Sequence, residues 1–140
     1  QDGLVIRGHV EDLREVFDRS RLFIAPLRSG AGIKGKVLAA MAAGIPTILS
    51  SVAAEGIGAK PRVDFLLAEN PDQWVDAISE AYLDVDLWTS LSNAALDLVC
   101  RSYSYTSALD AMRVALEHVD IFAPQEAATL ACRIAIPPVT

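Results

Sequence analysis

Three cationic side chains lie within nine positions of a glycine-rich stretch, a composition suited to binding an anion. Arg28 precedes the glycines, and Lys34 and Lys36 stand among them. Glycine lets a backbone approach a ligand closely, while lysine and arginine supply full positive charges. The residues that we predict to contact the anion in this stretch are Arg28, Gly30, Gly32, Lys34, Gly35 and Lys36.

The apolar pattern on both sides of this stretch predicts the elements that position it. Residues 22–26 form a continuous apolar run that ends in a proline, which is typical of a strand buried on both faces. Residues 37–43 are rich in alanine and predict a helix that ends at Gly44, with Pro46 just beyond. Residues 46–50 predict the next strand. Together these elements form a βαβ unit, whose ligands normally lie at the carboxyl ends of the strands.

The distribution of charge supports a phosphate site at the start of this helix. The first N–H groups of a helix are unpaired and carry the positive end of its dipole. No Asp or Glu occurs between Arg19 and Ala54, although the chain has a net charge of −6. A basic island on an acidic chain indicates a local field for a ligand and not a nucleic-acid surface. The alternative is a solvated turn without a ligand.

Two short phosphate-binding patterns overlap in the turn, and each is weak alone. Residues 30–35 match G-x-G-x-x-G, and Glu55 follows 20 positions later, where a ribose-binding acid is expected. Residues 30–36 also match G-x-x-x-x-G-K, but Val37 stands where Ser or Thr would hold magnesium. This mismatch argues against a nucleotide triphosphatase. Both patterns share a diphosphate bound at a helix N-terminus.

Several stretches together carry a family resemblance. They are Gly8-His9-Val10-Glu11-Asp12-Leu13, Pro26-Leu27-Arg28, residues 30–46, Ala54-Glu55-Gly56-Ile57 and Asn70-Pro71-Asp72-Gln73-Trp74. With these motifs, residues 1–118 resemble the C-terminal, nucleotide-sugar-binding domain of the retaining GT-B glycosyltransferases of the group 1 type. The resemblance implies that the turn binds the diphosphate of a nucleoside-diphosphate sugar, and that the loop at Glu55 and Gly56 lies beside the nucleoside or sugar. It implies no metal or other cofactor.

The chain departs from that family pattern in ways that bear on activity. Ala31 and Ala39 stand where the family carries two glutamates, the second of which usually binds the ribose of the donor. The family also has two strands before residue 4 and an N-terminal acceptor domain. We therefore expect a fragment that lacks its first strands, has no identifiable catalytic pair and does not transfer sugar by itself.

The rest of the chain completes an α/β prediction, a Rossmann-like parallel sheet with a helical C-terminal half. Further strands are predicted at residues 4–7 and 64–68. A helix is expected from Val10 to about Ser20, and another after Asn70 and Pro71, which are a good capping residue and first residue. Two more helices are predicted, from about Asp86 and from about residue 106 to 118. Residues 1–118 form the donor-binding domain and residues 119–140 a tail.

Other features limit the classes of function and partner. His9 and His118 are far apart in the sequence, so we expect no metal cluster. Cys100 and Cys132 are expected to be core thiols of an intracellular protein. No signal peptide or long apolar run is evident, so we expect a cytoplasmic location, with the cytoplasmic face of a membrane as a variant. The missing strands would leave a sheet edge exposed, which predicts self-association.

Three functions follow from these observations. The first is the donor-binding part of a glycosyltransferase, with a glycan, lipid or polysaccharide precursor as acceptor. The second is a binding or interaction module that kept the fold and lost activity, as Ala31 and Ala39 suggest. The third is a fragment of a dinucleotide-binding oxidoreductase. For Glu55, contact with ligand hydroxyls and an ion pair with a lysine remain open.

Overall fold

The computed structural model describes residues 3–118, which comprise six helices and three strands. In chain order these are α1 (Leu13–Phe17), β1 (Phe23–Ala25), α2 (Gly35–Ala42), β2 (Thr47–Leu49), α3 (Ser51–Ala54), β3 (Leu66–Leu67), α4 (Pro71–Leu83), α5 (Val85–Ser102) and α6 (Tyr105–His118). Strands and helices alternate up to α4 and only helices follow. The predicted Rossmann-like α/β fold with a helical C-terminal half is confirmed.

The three strands form a parallel sheet in the order β1-β2-β3. Ile48 in the middle strand pairs with Ile24 on one side and with Leu66 on the other. The strands predicted at 22–26, 46–50 and 64–68 are therefore present, each shortened at its ends. Their carboxyl ends meet at one edge of the sheet, as the prediction of a ligand site requires.

The core surrounds β2, which is buried along its whole length. Ile48 packs with Leu66 and with alanines and Leu91 from helices α4 and α5. A second cluster joins Phe17 of α1 to Ala40 and Ile45. Burial of apolar side chains on both faces of the middle strand explains why its sequence is continuously apolar.

Several of the observed helix boundaries have clear local causes. The side chain of Asn70 accepts a hydrogen bond of 3.0 Å from the backbone N–H of Gln73, and Pro71 is the first residue of α4. Gly44 has a φ of +71°, which favours glycine and ends α2. Asp12 caps α1, and hydrogen bonds from the side chain and the backbone N–H of Arg14 lower the pKa of Asp12.

Several predictions about the sheet and the core are wrong. Residues 4–7 form no strand, and Leu4 and Ile6 are 68% and 89% exposed. An apolar run becomes a strand only if a neighbour pairs with its backbone, and no strand among residues 3–118 does so. Helix α1 is shorter than expected, and a short helix that was not predicted, α3, follows β2 ahead of the loop at Glu55 and Gly56. Cys100 is exposed on α5 and is not a core thiol.

Helix α6 belongs to a second compact unit, which begins at Ser102. The hydroxyl of Ser104 accepts a hydrogen bond of 3.1 Å from the N–H of Ser107 near the start of this helix. Arg113 lies 3.6 Å from Asp110 and 4.0 Å from Glu117 on the same helix. The predicted tail at 119–140, with Cys132, lies outside the described residues. Between residues 3 and 118, no helix combines the length and the apolar character needed to cross a membrane.

Candidate functional site

The glycine-rich turn lies between the carboxyl end of β1 and the start of α2. Gly30 and Gly32 have φ values of +151° and +72°, conformations that side-chain-bearing residues rarely adopt. Lys34 precedes the first residue of α2, and no side chain caps this end of the helix among the described residues. The positive end of the α2 dipole therefore faces the turn.

Lys34 is held inside the turn. Its ammonium donates a hydrogen bond of 2.6 Å to the carbonyl of Gly32 and lies 3.7 Å from Oε2 of Glu55. The side chain of Lys34 is only 11% exposed, whereas that of Glu55 is 64% exposed. The ion pair that the sequence left open for Glu55 is thus formed with Lys34, and Lys36 remains exposed.

The segment at Glu55 and Gly56 packs directly against the glycine-rich turn. Gly56 has a φ of +77°, and a Cβ at this position would stand 3.4 Å from Cγ1 of Ile33. The structure therefore places this segment beside the glycine-rich turn and Lys34. A larger residue at position 56 would be strained by its backbone conformation.

The cationic residues line two neighbouring cavities. The first, which we name the lysine cavity, has a volume of about 360 Å³. It is lined mainly by apolar residues of β1 and the loop that follows, with Lys34, Gly35 and Lys36 at its edge formed by the start of α2. The second, which we name the strand-end cavity, has a volume of about 530 Å³ and includes Arg28. Pro26 and Leu27 line both. The sequence grouped Arg28 with the lysines, but the chain turns after β1 and places Arg28 in the second cavity.

The strand-end cavity contains polar residues that the sequence did not single out as site residues. Ser50, Glu69 and Asn70 line it, and each follows the carboxyl end of β2 or β3. The hydroxyl of Ser50 donates a hydrogen bond of 2.7 Å to the carbonyl of Leu27 and so joins two strand-end loops. The rule that ligands bind beyond parallel strands would have identified Glu69, had it been applied to the third strand as well.

The two alanines that depart from the family pattern have different positions. Ala31 is exposed in the glycine-rich turn, whereas Ala39 is half-buried and packs against the cluster of Phe17, Ala40 and Ile45. His9 is exposed in a segment without regular structure. Within residues 3–118, no group of three or more His, Cys, Asp or Glu side chains is arranged to hold a metal ion.

Solved structures share this fold. The C-terminal domain of a glycosyl transferase group 1 family protein (LpcC) from Francisella tularensis superposes with a TM-score of 0.62 at 19% identity, over 71% of this chain and 53% of that one. Sucrose-phosphate synthase from Thermosynechococcus elongatus superposes with a TM-score of 0.65 at 18% identity, over 79% of this chain and 28% of that one. The chain thus spans about half of the first structure and less of the second.

No curated protein matches the chain by sequence. A family model described as "Glycosyl transferases group 1" matches residues 1–84, which is more than half of the chain and includes β1 to β3, the glycine-rich turn and both cavities. The protein therefore belongs to the glycosyl transferases group 1 family.

Proposed function

We propose that this chain is the donor-binding part of a glycosyltransferase that uses a nucleoside-diphosphate sugar. The observation that carries the proposal is the start of α2, where Lys34 and Lys36 lie on either side of Gly35 and no side chain caps the helix among the described residues. Cationic side chains and free backbone N–H groups are a recurring arrangement for phosphate. Family membership supports the transfer of a sugar, and the phosphate chemistry supports the type of donor.

The charges of the lysine cavity suit the bond that such a transferase breaks. The bond between the anomeric carbon and the diphosphate oxygen breaks, and the diphosphate leaves with the bonding electrons. A hydroxyl of the acceptor forms the new bond to the anomeric carbon and releases its proton. Positive charge beside the leaving diphosphate stabilises the transition state. By resemblance to the family, we propose that the configuration at the anomeric carbon is retained.

Transfer also requires an acceptor site, and the described residues do not show one. We propose that an N-terminal acceptor domain supplies it, that this chain alone binds the donor without transferring the sugar, and that neither a metal nor another cofactor is needed. A glycan, lipid or polysaccharide precursor is the proposed acceptor. We propose that the protein lies in the cytoplasm or, if its acceptor is a lipid, at the cytoplasmic face of a membrane.

A second candidate is a binding module that has lost activity. Lys34 is already paired with Glu55, which weakens its attraction for an anion. Ala39 packs against apolar side chains and offers no group to a ribose. This candidate predicts that a nucleoside diphosphate binds weakly and that the protein joined to its acceptor domain neither transfers nor hydrolyses the donor sugar.

Calorimetric titration of the 140-residue chain with UDP, GDP and NAD tests the proposal. We expect a nucleoside diphosphate to bind and NAD, the ligand of an oxidoreductase, not to bind. Replacing both Lys34 and Lys36 with alanine removes two charge-assisted contacts, each worth about 1.5–3 kcal/mol, and should weaken binding by at least about a hundredfold. The matched control is Lys60→Ala, because Lys60 lines neither cavity. Equal affinity in the double variant and the control would refute a diphosphate site at the lysines.

A further inference from the structure

A groove lies between β3, the turn before it and helix α4, and we name it the β3 groove. Its main lining residues are Pro61 and Arg62 before β3, Leu66 and Leu67 in β3, and Asp76 and Glu80 on α4. The groove has a volume of about 340 Å³, at the lower end of the usual range for binding sites. It shares no lining residue with the lysine cavity or the strand-end cavity.

The backbone of Leu67 is open at the free edge of β3. The N–H of Ala68 donates a hydrogen bond of 3.0 Å to the carbonyl of Leu49 in β2. Because the backbone groups of successive residues in a strand point to opposite sides, the N–H and C=O of Leu67 point away from β2. Within residues 3–118, β3 is the last strand of the sheet, and no further strand pairs with that side. An extended polypeptide can therefore add to the sheet at Leu67.

The turn before β3 closes the rest of this edge. The backbone N–H of Arg62 donates a hydrogen bond of 2.7 Å to the carbonyl of Phe65, on the same side as the open groups of Leu67. The buried Asp64 holds the turn, since its Oδ2 accepts a hydrogen bond of 2.7 Å from the N–H of Lys60. The turn thus protects Phe65 and leaves a short open stretch at Leu67.

The charges on the α4 side of the groove favour a basic occupant. Glu80 pairs with Arg62 at 2.7 Å, so these two charges neutralise each other. Asp76 lies one helical turn before Glu80 and is exposed, and no ion pair engages it among the described residues. The groove therefore keeps one unpaired negative charge beside the open edge of the strand.

We propose that the β3 groove binds an extended polypeptide segment in which apolar and basic residues alternate. Leu66 is buried in a core cluster with Ala77 of α4, so α4 covers this face of β3, and Leu67 is on the opposite face. Successive side chains of an added strand point to the same two faces. One therefore meets Asp76, and the next packs on Leu67, which is 41% exposed. Backbone pairing supplies affinity, and the two side-chain contacts supply specificity.

NMR spectra of the ¹⁵N-labelled 140-residue chain test this binding at the backbone amide of Leu67. The probes are a short peptide that alternates valine and lysine and a peptide of equal length that alternates valine and glutamate. We expect the basic peptide to shift the amide signal of Leu67 and the acidic peptide to leave it unchanged. No shift with the basic peptide, or equal shifts with both peptides, would overturn the proposal.

The amide of Ile24 is an internal control on the other edge of the sheet. The N–H of Phe23 donates a hydrogen bond of 3.0 Å to the carbonyl of Pro46, so the N–H of Ile24 points away from β2. It is an open edge amide that does not line the groove. If the basic peptide shifts the signal of Ile24 as much as that of Leu67, the peptide adds to any edge and the β3 groove has no special role.

Charge variants of α4 test the contact with the basic side chain. Asp76→Asn should raise the Kd for the basic peptide about two- to fivefold at about 0.1 M salt, as expected for the loss of one exposed ion pair. Asp72→Asn is the matched control, because Asp72 lies one turn earlier on α4 and does not line the groove. Equal Kd values for the two variants would refute the role of Asp76.

Methylation of the peptide backbone tests the pairing with β3. An added strand presents only every second N–H to its neighbour. Methylating one alternate set of peptide nitrogens should therefore abolish the shift of Leu67, and methylating the other set should preserve it. Equal effects of the two sets would show that the peptide does not add as a strand. A Leu67 signal that moves when the chain alone is diluted would identify a second copy as the occupant and would also overturn the proposal.

Discussion

Replacing Glu55 with glutamine should strengthen the binding of a diphosphate to the lysine cavity. Glu55 lies 3.7 Å from the ammonium of Lys34 and neutralises the charge that the ligand would use. A diphosphate must therefore compete with this carboxylate. Glu55→Gln keeps the size of the side chain and its capacity for a hydrogen bond but removes the competing charge.

The size of the effect follows from the separation and the exposure of the pair. Coulomb's law at 3.7 Å gives about 1 kcal/mol in water and about 4–5 kcal/mol at an effective dielectric constant of about 20. Because 64% of the Glu55 side chain is exposed, the value near the lower limit applies. We therefore expect a gain of about 1 kcal/mol, which is about a fivefold lower Kd for UDP.

Calorimetric titration with UDP at about 0.1 M salt measures this gain in binding free energy, and a titration at about 1 M salt measures how far salt screens it. The difference between Glu55→Gln and the unaltered chain should shrink at high salt. Glu80→Gln is the control, because Glu80 pairs with Arg62 at 2.7 Å and lines neither cavity named above. Unchanged or weaker binding of UDP in Glu55→Gln would show that Lys34 does not face the diphosphate, and the reasoning would then be wrong.

Two further predictions concern stability and assembly. The hydroxyl of Thr47 is buried and has no hydrogen-bond partner among the described residues, so Thr47→Val should raise the free energy of unfolding by on the order of 1 kcal/mol. A lower midpoint of unfolding in urea would contradict this prediction. The control is Thr89→Val, which removes an exposed hydroxyl that is hydrogen-bonded. The edge of β1 opposite β2 is unpaired within residues 3–118, and Ile24 on this strand is 42% exposed. Sedimentation velocity should therefore show association that Ile24→Lys removes, whereas a monomer at high concentration of the unaltered chain would refute the role of the edge.

The βαβ unit could be predicted from sequence because its signals are local and agree with each other. A continuous apolar run, an alanine-rich helix and Gly44 each indicate the same boundaries, and burial of β2 on both faces explains the run. Residues 4–7 show the limit of this reasoning. Their apolar pattern is as clear as that of β1, but a strand also needs a neighbour for its backbone, which a pattern within one segment does not contain.

The location of the candidate site could be predicted from the sequence, but which of its residues contact one another could not. The turn, α2 and Glu55 lie together because parallel strands end at one edge of the sheet. The separation of Arg28 from the lysines depends on how the chain turns after β1, and the pairing of Lys34 with Glu55 depends on side-chain geometry. Sequence spacing carries neither piece of information.

The hydrogen bond from Lys34 to the carbonyl of Gly32 lowers the entropy cost of binding an anion. A free lysine side chain loses about 2 kcal/mol of rotamer entropy when a ligand immobilises it. Lys34 is already immobilised when the turn folds, so an anion that displaces Glu55 meets a preorganised charge. Arginine presents a planar fork in place of a compact ammonium, so we expect arginine at position 34 to lose the contact with Gly32 and the preorganisation that depends on it, despite its equal charge.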